Sequence, residues 1–312
     1  MAASGESMRG VPFVDAHVHL WQLTRLRYRW LTPPFTDDGP NGNVAAIAQD
    51  YTLADYRAEA AGWTVVGMVH VEAGADPADA LAETNWLESV AGADGKPDAI
   101  VAFAALDDPE VERLLAAQAE HGRVRGIRHI VNWHADPGRS YTSRDVTGDA
   151  AWARGFAMLA KYALSFDLQA YPGQFAGLAH LFAQHPDIPV AINHMGMPLG
   201  IDTAGMDHWR TGLTALAALP QVVIKISGAG FAARHWTEKT IRPIVLGAID
   251  LFGPDRCLFA SDFPTDRLFG TFDATLGAYA AIIADFSADE RRAMWGGNAN
   301  LFYRLGLELD RT

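Results

Sequence analysis

The sequence predicts an α/β fold, a (β/α)8 TIM barrel with insertions on the C-terminal face. Three observations lead to this prediction. Short apolar runs rich in β-branched residues alternate with amphipathic segments of helical period along the whole chain. The apolar runs are hydrophobic on both faces, as in parallel strands that helices cover on both sides. Eight such units fit in 312 residues, a length typical of this barrel with insertions.

The predicted strands are regularly spaced along the chain. They are expected at residues 13–20, 63–72, 99–106, 124–133, 164–171, 189–195, 222–227 and 257–262. An open, doubly wound sheet is the alternative arrangement, and it would require a glycine-rich phosphate-binding turn after the first strand. The chain reads His19-Leu20-Trp21-Gln22 at that point, and no nucleotide-binding glycine motif follows any predicted strand. The closed barrel is therefore favoured.

The predicted helices are recognised by their ends. Asp108-Pro109-Glu110-Val111 begins one helix, with proline at its first position and acids in the first turn. Further helices are expected at 149–162, 173–184, 238–252 and 272–285, and Ser287-Ala288-Asp289-Glu290 is a capping box that begins another. Two long insertions, 21–51 and 134–148, each follow a strand. They are expected on the C-terminal face, where the active sites of such barrels are built.

Composition limits the classes of function. The chain has 25 Lys and Arg against 37 Asp and Glu, and its net charge of −12 disfavours nucleic acid or an anionic membrane as a partner. No apolar run reaches membrane-spanning length, and residues 1–10 lack the apolar stretch of a signal peptide, so we expect a cytoplasmic protein. The single cysteine, Cys257, excludes an intrachain disulfide. We expect one domain over residues 1–312 and a small-molecule substrate, and a homodimer stays open.

The most informative motif lies in the first strand, where the chain reads Asp15-Ala16-His17-Val18-His19. Residues i and i+2 of a strand share a face, so His17 and His19 are expected to point the same way. Two imidazoles on one face can bind a metal ion or polarise a carbonyl oxygen together.

Polar side chains also lie near the ends of most other predicted strands. They are His70 and Glu72, Arg128 and His129, Gln169 and Tyr171, His194, Lys225, and Asp262. Charges inside an apolar barrel are costly unless they are paired, so this pattern indicates an active site at the C-terminal face. His70 and Glu72 could instead form a structural pair, and Lys225 an ion pair. Trp30 and Trp133, on loops of the same face, could form an aromatic wall for a ring-shaped substrate.

With His194 and Asp262, the motif of the first strand resembles the amidohydrolase superfamily. More narrowly, the chain resembles its lactone hydrolases: the sugar lactonases and pyrone dicarboxylate lactonase. The segments that carry this resemblance are 15–21, 28–31, 126–130, 193–198, 225–228, 258–264 and 296–299. The sixth strand ends in Asn193-His194-Met195-Gly196-Met197-Pro198, whereas the family pattern has an acid before the histidine and a basic residue before the proline.

The resemblance implies a role for each candidate residue. Asp262 would be the general base, and His194, His17 and His19 would orient the water or polarise the lactone carbonyl. The predicted substrate-binding residues are Arg128, His129, Lys225, Trp30, Glu72, Tyr171 and Trp133. A carboxylate at the mouth of a barrel can accept and return a proton when partial burial moves its pKa toward neutrality.

The resemblance also bears on metal binding. Metal-dependent members usually have a further histidine after the fifth strand and often a carbamylated lysine on the fourth. Here the fifth strand offers Gln169 and Tyr171, and the fourth has no lysine. His17, His19 and Asp262 supply three ligands, fewer than a dinuclear centre needs. We therefore expect either that no metal is required or that one divalent ion is loosely bound, and zinc is the ion expected first.

The predicted function is hydrolysis of a small cyclic ester, a sugar or pyrone-type lactone, by an enzyme of carbohydrate metabolism. One alternative is a single-metal, non-oxidative decarboxylase or hydratase of an aromatic or dicarboxylic acid, and the missing histidine of the fifth strand disfavours it. The other alternative is an inactive barrel that serves as a binding protein. The intact set of three histidines and Asp262 disfavours that interpretation.

Overall fold

Eight parallel strands run in chain order around one barrel, and each pairs with the next along the chain. The structure, a computed structural model, describes residues 7–309. The strands are β1 Phe13–Val18, β2 Val65–Val71, β3 Ala99–Phe103, β4 Val124–Ile130, β5 Ser165–Gln169, β6 Val190–Ile192, β7 Val222–Ile226 and β8 Cys257–Phe259. All eight predicted strands are present and the predicted (β/α)8 barrel is confirmed. Residues 1–6 and 310–312 of the predicted domain lie outside the described part, as does most of the 1–10 segment considered for a signal peptide.

Helices surround the strands. They are α1 Leu53–Glu59, α2 Ala80–Asp94, α3 Val111–Ala119, α4 Ala150–Met158, α5 Phe175–Ala183, α6 Thr203–Ala217, α7 Ala229–Ala232, α8 Glu238–Phe252, α9 Phe272–Ile282, α10 Ala288–Arg292 and α11 Asn298–Phe302. No helix among residues 7–309 is long and apolar enough to cross a membrane.

The predicted helix ends hold in part. Ser287 caps α10 as expected, since its side chain accepts from the Glu290 amide while Glu290 accepts from the Ser287 amide. The helix predicted from Asp108 begins three residues later, because Asp108 Oδ1 accepts from the Glu110 amide at 2.7 Å and closes a turn first. The sequence analysis gave no bounds for α1, α2 and α6, although it expected helices between the strands. In α2 the buried polar residues Glu83 and Thr84 interrupt the apolar stripe.

The barrel closes between its first and last strands. The amide of His19 donates to the Phe263 carbonyl at 2.8 Å, and the amide of Asp262 donates to the His17 carbonyl at 2.9 Å. Beside these bonds, the Asp15 carboxylate accepts from the Ser261 amide, also at 2.9 Å. These hydrogen bonds between the first and last strands bring the histidines of β1 next to Asp262. Burial also raises the pKa of the Asp15 carboxyl group to about 6.

Candidate active site

A cavity of about 200 Å³ lies at the C-terminal end of the barrel. Its lining comes from strand ends and from both long insertions, which therefore lie on the expected face. The lining residues are His19, Trp30, Asn41, Ala73, Gly74, Arg128, Ile130, Tyr141, Gln169, His194, Phe231, Asp262 and Thr265. The volume is enough for one small ring with polar substituents.

Asp262 lies at the centre of a cluster of imidazoles. Its Oδ1 is 3.5 Å from His17 Nε2 and 3.4 Å from His19 Nε2, and its Oδ2 is 3.9 Å from His194 Nδ1. The carboxylate is 1% exposed, and neither oxygen accepts a hydrogen bond from any residue that the structure describes. A buried carboxylate without donors is costly, so such a group is expected to serve a ligand or a reaction.

The backbone and the burial of Asp262 are both unusual. Its φ of +61° lies in the left-handed region, which costs energy for a residue with a Cβ and is often found at functional sites. Burial raises the pKa of Asp262, while the nearby His194 and Arg128 oppose that rise. The carboxyl group therefore holds a proton more readily than an ordinary aspartate does.

The imidazoles around Asp262 are neutral near pH 7. Burial lowers the pKa of His19 to about 3 and that of His194 to about 4. Burial and the nearby Lys225 ammonium also lower the pKa of His17 well below its ordinary value. Each ring therefore has one N–H donor and one acceptor nitrogen to offer.

His194 lies on a strained turn after β6. His194, Met195 and Met197 have φ values of +52°, +54° and +46°. The Nδ1 of His194 lies 3.1 Å from Ser227 Oγ. Gly228 is required beside it, because a Cβ at that position would lie 2.6 Å from the same Nδ1. The turn is thus built to hold the ring of His194 against the cavity.

The residues can hold one divalent metal ion. His17, His19 and Asp262 each offer a ligand atom, and these atoms lie within 4.8 Å of one another. The orphaned oxygens of Asp262 and the acceptor nitrogen of His19 suit such an ion. No other group of this kind is found among residues 7–309, and His194 is not part of it. The site therefore offers three protein ligands, the number anticipated from the sequence.

Arg128 is the buried cation of the cavity wall. Its Nε donates to Glu72 Oε1 at 2.6 Å, and its Nη1 donates to Gln169 Oε1 at 3.1 Å. Glu72 does not line the cavity; it holds Arg128 and also accepts from the Gly74 amide at 2.8 Å. His70 faces the Leu20 carbonyl at 3.2 Å and does not pair with Glu72.

The loops over the cavity contribute two polar residues that the sequence analysis missed. Tyr141, from the second insertion, donates its hydroxyl proton to Asn41 Oδ1 of the first insertion at 2.5 Å. Trp30 lines the cavity as expected, with its Nε1 donating to the Ala73 carbonyl at 2.9 Å. The loops of these residues have no periodic pattern, and the pairing of Tyr141 with Asn41 spans 100 residues.

Two predicted binding residues lie away from the cavity wall. His129 is on the outer face of β4, because side chains alternate along a strand and Arg128 lies on the inner face. The Nδ1 of His129 accepts from the Leu106 amide at 3.1 Å and from the Trp152 indole at 3.3 Å. Trp133 is 38% exposed and does not line the cavity.

Tyr171 and Lys225 also do not line this cavity. Tyr171 borders an adjacent polar groove, and its hydroxyl donates to the Arg139 carbonyl at 2.7 Å. Lys225 is fully buried beneath His17 and ion-paired with Asp167 at 2.5 Å, which matches the structural alternative considered for it.

A protein-family comparison identifies the group to which this fold and cavity belong. The Amidohydrolase family model matches residues 14–305, nearly the whole chain. This chain is an amidohydrolase. The match confirms the superfamily resemblance drawn from the strand ends and makes the protein an enzyme of the hydrolase class.

Two relatives of known sequence match nearly the whole chain. The uncharacterized protein y4mH of Sinorhizobium fredii is 37% identical over 303 residues, which are 96% of this chain and 100% of that protein. L-fucono-1,5-lactonase of Burkholderia multivorans is 28% identical over 309 residues, 94% of this chain and 96% of the relative. The relative named as a lactonase supports the lactone-hydrolase branch of the superfamily.

A solved structure agrees with the fold. An amidohydrolase from Burkholderia multivorans, crystallised with bound zinc, has a TM-score of 0.76 at 26% identity, over 96% of this chain and 99% of that one. Together with the three convergent ligand atoms, the zinc of that amidohydrolase supports a divalent-metal site here.

Proposed function

We propose that this amidohydrolase hydrolyses a small sugar lactone with a six-membered ring, and that L-fucono-1,5-lactone is the first substrate to test. The observation that carries the proposal is the buried Asp262 carboxylate, which accepts no hydrogen bond from the described residues and lies beside three imidazoles. The relatives named L-fucono-1,5-lactonase support the substrate class. Such a substrate would place the enzyme in carbohydrate metabolism.

The reaction begins with water. The Asp262 carboxylate accepts a proton from a water molecule, whose oxygen then forms a bond to the carbonyl carbon of the lactone. The carbonyl oxygen takes the electron pair and becomes a tetrahedral oxyanion. When the C=O double bond re-forms, the bond from carbon to the ring oxygen breaks. The protonated Asp262 returns its proton to that departing oxygen, and the product is an open-chain hydroxy acid.

The raised pKa of Asp262 suits both halves of this cycle. A carboxylate with an ordinary pKa near 4 is too weak a base to deprotonate water effectively and too strong an acid to stay protonated until the ring oxygen departs. Burial moves the pKa upward, toward the operating range of general acid–base catalysts.

Charge on the oxyanion requires donors in a dry cavity. Arg128 is 3% exposed, lines the cavity and is held in place by Glu72 and Gln169, so its positive charge needs no reorganisation during the reaction. His194 is neutral and adds a hydrogen-bonding nitrogen on the side of Oδ2. Trp30 covers the ring of the substrate.

A divalent ion, held by His17, His19 and Asp262, would polarise the lactone carbonyl and lower the pKa of a bound water. We propose that any such ion is loosely held, because the described residues offer only three ligands.

A cytoplasmic location and a homodimer stay predictions.

The direct test is a hydrolysis assay on the purified protein with a pH indicator, which detects the acid released. L-fucono-1,5-lactone, other six-membered sugar lactones and a pyrone dicarboxylate are offered in parallel, before and after chelation. We expect turnover of at least one sugar lactone well above the spontaneous rate. Aromatic acids are offered in a separate decarboxylation assay. Their turnover without lactone turnover would favour the decarboxylase alternative, and no turnover of either class would overturn the proposal.

A further inference from the structure

Two side chains from different loops meet over the catalytic cavity. Tyr141, in the second insertion, donates its hydroxyl proton to Asn41 Oδ1, in the first insertion, at 2.5 Å. Both residues line the cavity on the side of the loops, whereas Arg128 and Asp262 line it on the side of the strands. The hydrogen bond between Tyr141 and Asn41 therefore joins the two insertions across the mouth of the cavity.

Two grooves lie on the outer side of this pair. The polar groove that Tyr171 borders has a volume of about 400 Å³ and is also lined by Tyr141. A second groove, of about 340 Å³, is lined by Trp30, Asn41 and Tyr141 among others. Because Tyr141 borders the cavity and both grooves, its side chain is the wall between them.

The two residues of the pair are held in place by hydrogen bonds of their backbone. The Tyr141 amide donates to the carbonyl of Asn132, two residues after the end of β4, at 3.0 Å. Arg234, which follows α7, donates to the Asn41 carbonyl at 3.4 Å and to the Pro40 carbonyl at 3.3 Å. Each loop is thus tied to another part of the barrel, so the wall has a defined position.

The polar groove suits an uncharged ligand that is rich in hydroxyl groups. Its charged side chains are Asp37, Asp136, Arg139 and Arg234, two acids and two bases. Arg139 donates to the Leu199 carbonyl at 3.3 Å and lies 3.6 Å from the Asp136 carboxylate, while Arg234 donates to the carbonyls of the first insertion. A sugar ring fits such a balanced surface, because each hydroxyl group can both donate and accept.

We propose that the pair of Tyr141 and Asn41 limits the substrate to a single ring, and that a second sugar unit would occupy the polar groove if the pair were removed. The inference rests on the proposed function, since the ring concerned is that of the sugar lactone. The cavity, of about 200 Å³, has room for one ring. A lactone that carries a second sugar must pass the pair before its carbonyl carbon reaches Asp262. The substrates are therefore lactones of single sugars.

The test compares the wild type with two variants that open the wall from opposite sides. Tyr141→Ala removes the ring and the hydroxyl that separate the cavity from the polar groove. Asn41→Ala removes the same hydrogen bond from the first insertion. The matched control is Thr142→Val, which removes a neighbouring hydroxyl that donates to the Arg144 carbonyl at 3.0 Å within the second insertion. Thr142 lines neither the cavity nor the two grooves.

The first measurement is kcat/KM for the 1,5-lactone of a single sugar and for the 1,5-lactone of a disaccharide. We expect the wild type to prefer the smaller lactone. The ratio of the disaccharide value to the single-sugar value should rise about 10-fold or more in Tyr141→Ala and Asn41→Ala, since even one methylene group in a pocket changes discrimination by about 10- to 200-fold. The ratio should stay unchanged in Thr142→Val.

The second measurement uses no lactone. Thr265→Cys places a thiol in the cavity, and the natural Cys257 is buried, so it contributes little labelling. The thiol is labelled with methyl methanethiosulfonate and with a methanethiosulfonate that carries a disaccharide, and each rate is divided by the rate of the same reagent with glutathione. We expect the large reagent to be slower than the small one in Thr265→Cys. Adding Tyr141→Ala should remove most of this difference.

An unchanged ratio of kcat/KM values in the folded variants of the pair would overturn the proposal, as would an equal rise in Thr142→Val. So would labelling of Thr265→Cys by the large reagent as readily as by the small one. If Tyr141→Ala does not fold, Asn41→Ala takes its place in both measurements. If no lactone is hydrolysed, the proposed function fails, and the labelling rates alone decide whether the pair sets a size limit.

Discussion

Asp262→Asn is the substitution that tests the proposed mechanism most directly. The change replaces one carboxylate oxygen by an amide group of the same shape. Asparagine tolerates the left-handed backbone at this position, where φ is +61°. The carboxylate accepts no hydrogen bond from the described residues, so no internal hydrogen bond of the wild type is lost.

The magnitude follows from the role assigned to the carboxylate. Loss of a general acid–base group lowers the rate by about 10²–10⁴, which is roughly 3–5 kcal/mol of transition-state stabilisation. The rate should fall, whereas the stability of the folded protein should not. Burial disfavours the charged form of Asp262, so at neutral pH the uncharged amide should leave the free energy of unfolding equal to that of the wild type or higher.

The assay measures kcat and KM for the best lactone substrate, together with urea unfolding of both proteins. We expect kcat to fall by the stated factor while the variant stays folded. In the wild type, kcat/KM should fall as the pH is lowered through the raised pKa of Asp262, above the usual range of aspartate. Near wild-type turnover in a folded Asp262→Asn protein would refute the assignment of the base.

Three further predictions concern the metal, the cavity wall and the fold. Exhaustive chelation should leave most of the activity, because only three metal ligands are present among the described residues. The prediction is contradicted if the purified protein contains stoichiometric zinc, loses activity when the zinc is removed and regains it when the zinc is returned. Trp30→Ala should raise KM more than it lowers kcat, because Trp30 lines the cavity while its indole N–H is bonded to the Ala73 carbonyl. Trp133→Ala, outside the cavity, is its control and should change neither constant. Burial raises the pKa of Glu83 from 4.5 to about 8, so the folded state holds the proton of this carboxyl group more tightly than the unfolded state does. The free energy of unfolding should therefore decline by a few kcal/mol as the pH rises from 4.5 to about 8. Glu83→Gln should remove this decline in urea unfolding at about pH 5 and about pH 9, and an unchanged slope would show that other groups cause it.

The sequence by itself determined where the strands lie and which polar residues stand at their ends. All eight strands could be located, because a strand buried on both faces is a short apolar run that needs no knowledge of its neighbours. The cap of α10 at Ser287 is equally local, since its hydrogen bonds span three residues. The pairing of His17 with His19 followed from spacing alone, and the return of Asp262 to their side followed from the prediction of a closed barrel.

Only the tertiary structure decided which of the polar residues share the cavity. Arg128 and His129 are neighbours in sequence, yet one lines the cavity and the other packs behind β4, because the inward face of a strand depends on its register in the barrel. Lys225 lies one level below the cavity, where it reaches His17 and Asp167 instead of substrate. Asn41 and Tyr141 meet only because two loops without periodic patterning cross over the same opening. Side-chain type and spacing are local properties of the chain, whereas depth in the barrel and contact between loops depend on the packing of the whole fold.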